Sequence, residues 1–192
     1  MLGFSLVLTI FISGSGALTE KEIEKQLQAK RSSSIPEKEA LSDYIPENLK
    51  GFSKVESRSA QDIDLEVWGA ESGWLSFWEQ AEIPFEVNFH DITIDLYRFK
   101  SKEEARDSII QEMKITGEVD VETEEGLPIM LVAEEYDFDT ANGADAYLGF
   151  HQDNLVILIH SMKEVTEGTV SSDLLLEEAK RAFKEMVKVA NN

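Results

Sequence analysis

Three histidines are the only imidazoles in the chain, and each has a carboxylate within a few positions or across a turn. His90 adjoins Asp91. His151 opens the Asp153-Asn154 turn, and His160 closes the strand that follows. Antiparallel strands joined at that turn would bring His151 and His160 near each other. Such a pair with a carboxylate has the chemistry for a zinc site or for general acid–base catalysis; the plain alternative is three structural histidines. Asp91 and Asp95, on the preceding strand, are the carboxylates that an exported hydrolase of unrecognised type would combine with a histidine. A second cluster is Asp137, Asp139, Asn142 and Asp145 around Gly143. Calcium takes several oxygen ligands from one loop, so these four residues form a candidate metal site. The spacing is not that of an EF-hand: the fifth position from Asp137 is Ala141, the seventh is Gly143 and the twelfth is Leu148. The alternative is an Asn142-Gly143 hairpin turn flanked by turn-favouring aspartates. A third group is aromatic. Trp68, Trp74 and Trp78 fall close together with Phe77, either as core or as a ligand-binding platform with tryptophan anchors.

Other chemistry has no carrier. The chain contains no Cys, which removes disulfides, thiolate metal sites and Cys nucleophiles. No Gly-rich phosphate loop or dinucleotide fingerprint occurs. Gly14-Ser15-Gly16 lacks the spacing of a nucleophile elbow. The 192 residues carry 18 Lys plus Arg against 38 Asp plus Glu, a formal charge of −20. That field repels nucleic-acid phosphates and anionic lipid headgroups. With 42% hydrophobic and 29% charged residues, the composition is that of a globular protein.

The elements that must hold these residues follow from periodicity. Met1 to Ala17 has no charge and a short apolar run from Leu2 to Ile12, then small residues. It suits a secretory signal cut after Gly16 or Ala17. No Lys or Arg precedes the run, so an uncleaved N-terminal anchor or a buried first element are the alternatives, and contact with a membrane would come only through this segment. Residues 18–44 read as a polar stalk: a short helix from Glu20 to Lys30, opened by a Thr19/Glu22 capping box, then a Ser-rich linker. A single domain is expected over 45–192. Ile63, Leu65 and Val67 alternate as in a half-buried strand, as do Phe85, Val87 and Phe89, and then Ile92, Ile94 and Leu96. The parity flip between the last two sets predicts a bulge or reversal around Asn88 to Asp91. The segment holding Trp74 to Trp78 fits helix or strand; if extended, Trp74 and Trp78 share one face and Leu75 and Phe77 the other. A helix is expected from Lys102 to Ile115, ended by Gly117. Val119 to Glu124 reads as a charged edge strand, with a weak, screened cation site as its alternative. Strands over Ile129–Asp137, Ala144–Phe150 and Leu155–Ser161 and a final helix over Asp173–Val189 complete the order. Consecutive strands imply hairpins, so the expected class is α+β: an antiparallel sheet with two amphipathic helices packed on one face.

Tyr97-Arg98-Phe99-Lys100-Ser101-Lys102-Glu103-Glu104-Ala105 resembles the strand-to-helix junction of small extracytoplasmic domains on exported bacterial and archaeal proteins. Gly143 to Tyr147, Asn154 to Ile159 and the closing helix are similar to the second half of such domains, a group that includes the PsbP-type fold. The resemblance implies shape and an extracellular or cell-envelope location, and no catalytic residues. The expected function is that of an exported, non-catalytic binding or interaction domain for a protein or small-molecule ligand. A hydrolase and a calcium-dependent structural or adhesion module are the alternatives; no cofactor other than calcium is suggested.

Overall fold

The computed structural model describes residues 17–82, 87–138 and 141–192; the expected signal segment up to Gly16, Phe85 and Asp139 lie outside these. The elements are α1 (Glu20–Lys30), a 3-10 turn (Leu41–Tyr44), β1 (Phe52–Ser59), α2 (Asp62–Trp68), β2 (Ser72–Gln80), β3 (Val87–Arg98), α3 (Lys102–Thr116), β4 (Asp120–Glu124), β5 (Leu127–Phe138), β6 (Ala141–Gln152), β7 (Leu155–Val165) and α4 (Ser172–Ala190). The seven strands form one sheet in the order β1-β2-β3-β7-β6-β5-β4. Every neighbouring pair is antiparallel. The α+β class and the antiparallel sheet are as the sequence predicts. Among the described residues, no helix is long and apolar enough to cross a membrane.

The two long helices do not share a face. α4 buries Ala179, Ala182, Phe183 and Met186 against Ile92, Ile94, Leu148, Phe150, Ile157 and Ile159. α3 buries Ala105, Ile109, Ile110 and Met113 against Tyr97, Met130, Val132, Val156 and Leu158. Alternate residues of one strand point to opposite faces, so the pairs Val156/Leu158 and Ile157/Ile159 place α3 and α4 on opposite sides of the sheet. The uninterrupted run Leu155 to Ile159 is the reason: a strand apolar at every position is covered on both faces. Gly149 lets α3 lie close on β6, since a Cβ there would come within 2.9 Å of the Met113 side chain.

Residues 18–44 are not a free-standing stalk. The capping box of Thr19 and Glu22 opens α1 as expected, but Ile23 and Leu27 are fully buried beside α3 and β5. The serine segment is tied down by the β4–β5 turn, with the Ser32 and Ser33 N–H groups donating to the Gly126 carbonyl at 3.0 and 3.1 Å. Gln152 then clamps Ile35 through both backbone groups, at 2.8 and 2.7 Å. Ile35, Leu41 and Tyr44 finish on the α4 side. The segment therefore straps the sheet from one face to the other. Two apolar residues in α1 suffice to dock it because the site they enter is already apolar.

The expected strand over Ile63 to Val67 is helix α2. The Asp64 carboxylate accepts from the Gln61 N–H at 2.9 Å, Asp62 and Asp64 lie in the first turn, where carboxylates suit the helix dipole, and Gly69 closes the helix at φ 68°. These terminal signals outweigh a three-residue alternation. β2 is extended, so Trp74 and Trp78 share one face, as that reading requires. β3 runs unbroken to Arg98, with a register irregularity between Val87 and Phe89. β4 is the sheet edge, as expected.

Candidate functional site

A cleft of about 590 Å³ lies between α2 and α3. α2 turns Leu65 and Trp68 toward the sheet. The Trp68 ring stacks on Tyr97, with centroids 4.7 Å apart and planes 23° from parallel. That docking leaves Ile63 and Val67, one turn apart, pointing outward at 67% and 79% exposure. Opposite them, one stripe of α3 lines the cleft, running from Glu104 through Asp107, Ser108, Gln111 and Glu112 to Ile115. Ile115 is 73% exposed; Phe99 lies buried in the floor. Among the described residues, Ile63, Val67 and Ile115 are three of the five exposed large hydrophobics. Val67 and Ile115 line one cleft, a grouping of the kind that marks an interaction surface. The lining includes three carboxylates and no Lys or Arg.

A polar array occupies the same face of the sheet. His160 Nε2 and Asp145 Oδ1 are 3.1 Å apart, and the imidazole lies flat on Tyr147, with centroids at 4.2 Å and planes 4° apart. Asp95 on β3 is close enough to feel the His160 charge; burial pushes its carboxyl up to about 6 despite that histidine. Asp91 is raised as well, by burial and by Glu79. Arg58 Nη1 reaches Asp64 at 3.5 Å. A histidine oriented by one carboxylate beside a second carboxyl titrating near neutrality can hold and pass a proton.

The structure separates most of the residues that the sequence groups together. Trp68 lies in the cleft, but Trp74 and Trp78 are on the opposite face of the sheet. The Trp74 indole N–H donates to Ser57 Oγ at 2.8 Å. Trp78 is core, with Lys54 Nζ 4.6 Å from its ring centroid. The tryptophans are therefore not one platform. In the acidic cluster, β5 and β6 stay paired through Asp137↔Asn142 to Phe138↔Ala141, so Asn142-Gly143 lies inside β6 and is not the turn. Asn142 donates to the Gly168 carbonyl at 2.6 Å. By strand parity, Asp145 points to the face opposite Asn142 and is engaged with His160, so it does not join Asp137 and Asn142. Among the described residues, no group of three or more His, Cys, Asp or Glu side chains is placed to hold a metal ion.

The histidines are also apart. His151 pairs with Val156, whereas His160 pairs with Tyr147, leaving three rungs of the ladder between them. His151 lines a separate cleft between α1 and α3 with Arg31 and Arg106; burial, then those two guanidiniums, holds it down to about 4. His90 is buried under α4, its ring nitrogens 2.9 Å from Gln80 Oε1 and 2.7 Å from Glu178 Oε2. Ser161 Oγ donates to the same Glu178 oxygen at 3.2 Å. The sequence pattern placed Val67 on the apolar side of a half-buried strand and gave Ile115 only as the end of its helix. Ile115 did carry a signal, because it falls off the Ala105–Ile109–Met113 stripe of its helix.

No protein-family model matches the chain, and no curated protein matches it. Among solved structures, it is similar at 9% identity to the extracellular domain of PknH from Mycobacterium tuberculosis, with a TM-score of 0.42 over 93% of this chain and 99% of that one. It is also similar, at 12% identity and a TM-score of 0.39, to a protein from Bacteroides thetaiotaomicron VPI-5482, over 68% of this chain and 42% of that one. The first likeness is a distant one to an extracytoplasmic domain. Neither structure is described as a PsbP-type protein.

Proposed function

We propose that the chain is an exported, non-catalytic domain that binds a partner through the α2–α3 cleft. The observation that supports this most is the placement of Val67 and Ile115 in solvent on opposite walls of one cleft floored by Trp68 and Phe99. Leaving such side chains in water forgoes about 1.5–3 kcal/mol of burial each, which a docked partner would recover. The uncharged apolar start with its small-residue exit supports export. Titration with Nile red, a neutral apolar dye, tests the surface: the wild type should enhance its fluorescence, and Val67→Ser with Ile115→Ser should abolish the enhancement while circular dichroism stays the same. Equal enhancement by both proteins would refute the assignment. Export is tested separately by N-terminal sequencing, which should find a mature chain beginning near Ala17 or Leu18.

A hydrolase is the second reading, and the Asp95–His160–Asp145 array is the one observation favouring it. It requires a bell-shaped pH–rate profile that Asp95→Asn removes.

A further inference from the structure

We propose that the partner of the α2–α3 cleft is a cationic amphipathic helix of about three turns. This rests on the reading of the cleft as a binding surface and adds the chemistry of what binds there. Three features carry it. The first is shape: the α3 wall is a single helical stripe from Glu104 to Ile115, about 16 Å long at 1.5 Å per residue, so a helix laid beside it engages for about three turns. The second is the apolar content, which would receive the i, i+3/i+4, i+7 anchors of a helix seated in the groove: Val67 and Ile115 on the walls, Trp68 and Phe99 beneath. The third is charge. Asp107 is already held by Arg106 at 2.7 Å, which leaves Glu104 and Glu112 as the carboxylates that flanking lysines or arginines would meet. The chain as a whole is at −20, so approach of a cation is steered and approach of an anion opposed. The same charge argues against two other occupants of an apolar groove. A second copy of this chain would bring acidic rim against acidic rim, and an anionic lipid surface would be repelled.

The test uses designed peptides of about four turns and titration calorimetry on the full mature chain at 150 mM salt, where the screening length is about 8 Å. A Leu/Lys amphipathic peptide should bind at least tenfold more tightly than a scrambled peptide of the same composition, which keeps the charge and loses the apolar stripe. Val67→Ser with Ile115→Ser should weaken the amphipathic peptide at least tenfold, and Glu104→Gln with Glu112→Gln should weaken it several-fold. If a Leu/Gln or Leu/Glu peptide binds as tightly as Leu/Lys and is still lost with the serine pair, the cationic assignment is overturned and the cleft stands. If the serine pair leaves every peptide unaffected, or the scrambled peptide binds equally well, the cleft itself is overturned as the docking surface.

Discussion

Asp95→Asn should make the protein more stable at neutral pH, and by an amount that depends on pH. The Asp95 carboxyl titrates near 6 in the folded chain against an ordinary value of 3.8. The folded state therefore binds its proton more tightly than the unfolded state does. Between about pH 4 and pH 6 the stability contributed by this group falls as pH rises, and above about 6 the loss is complete. The displacement corresponds to at most about 3 kcal/mol. Water reaching a half-buried carboxylate lowers the figure, so ~1–2 kcal/mol is the expected gain from the neutral amide at pH 7.5. At pH 3.5, where the native carboxyl is also neutral, wild type and variant should agree within about 0.5 kcal/mol. Urea unfolding of both proteins across that range, read by tryptophan fluorescence, gives the difference directly and cancels the other titrating groups. His160→Gln supplies the converse. The His160 charge holds the Asp95 value down, so its removal should push the carboxyl higher and enlarge the benefit of Asn. A destabilising Asp95→Asn at pH 7.5, or one whose effect is the same at both pH values, would refute the reasoning.

Phe183→Ala removes a fully buried ring 5.3 Å from Phe150 and should cost about 3–5 kcal/mol in urea unfolding. Gly149→Ala forces a methyl to 2.9 Å from Met113 and should cost about 1–3 kcal/mol in urea unfolding. Val67→Ser with Ile115→Ser should leave the unfolding midpoint nearly unchanged, because both side chains are already in water.

What the sequence showed depended on whether the signal was local. Helix ends were legible because a cap acts within four residues, as at Thr19/Glu22. β5, β6 and β7 were legible because their apolar residues are buried. β1 was missed because its sequence, Phe-Ser-Lys-Val-Glu-Ser-Arg-Ser, lies at a sheet edge where most of its side chains meet water. Ile63, Leu65 and Val67 misled because two of the three face solvent, so their alternation did not mark a buried face. The placement of α3 and α4 on opposite faces was available in the uninterrupted run Leu155 to Ile159. The sites were not local. Val67 and Ile115 meet across a cleft that depends on α2 docking by Trp68 on Tyr97. The His160–Asp145 contact depends on β6–β7 register, as does the separation of His151 from His160; a shift of one residue would have moved Asp145 to the other face.

The sheet order has a consequence for how the chain acquires its shape. β7 lies between β3 and β6, although it is the last of the described strands in the sequence, and its pairing with β3 joins residues from 57 to 78 positions apart. Before Leu155–Val165 emerges, the chain can form two pieces, β1-β2-β3 and β4-β5-β6, each with an open edge and an uncovered apolar face. Contacts so distant in sequence make for slow closure. A sheet of this topology cannot close before β7 is available. Until β7 is in place the facing edges of β3 and β6 stay unpaired, and an unpaired strand edge is a template for wrong pairing with another chain.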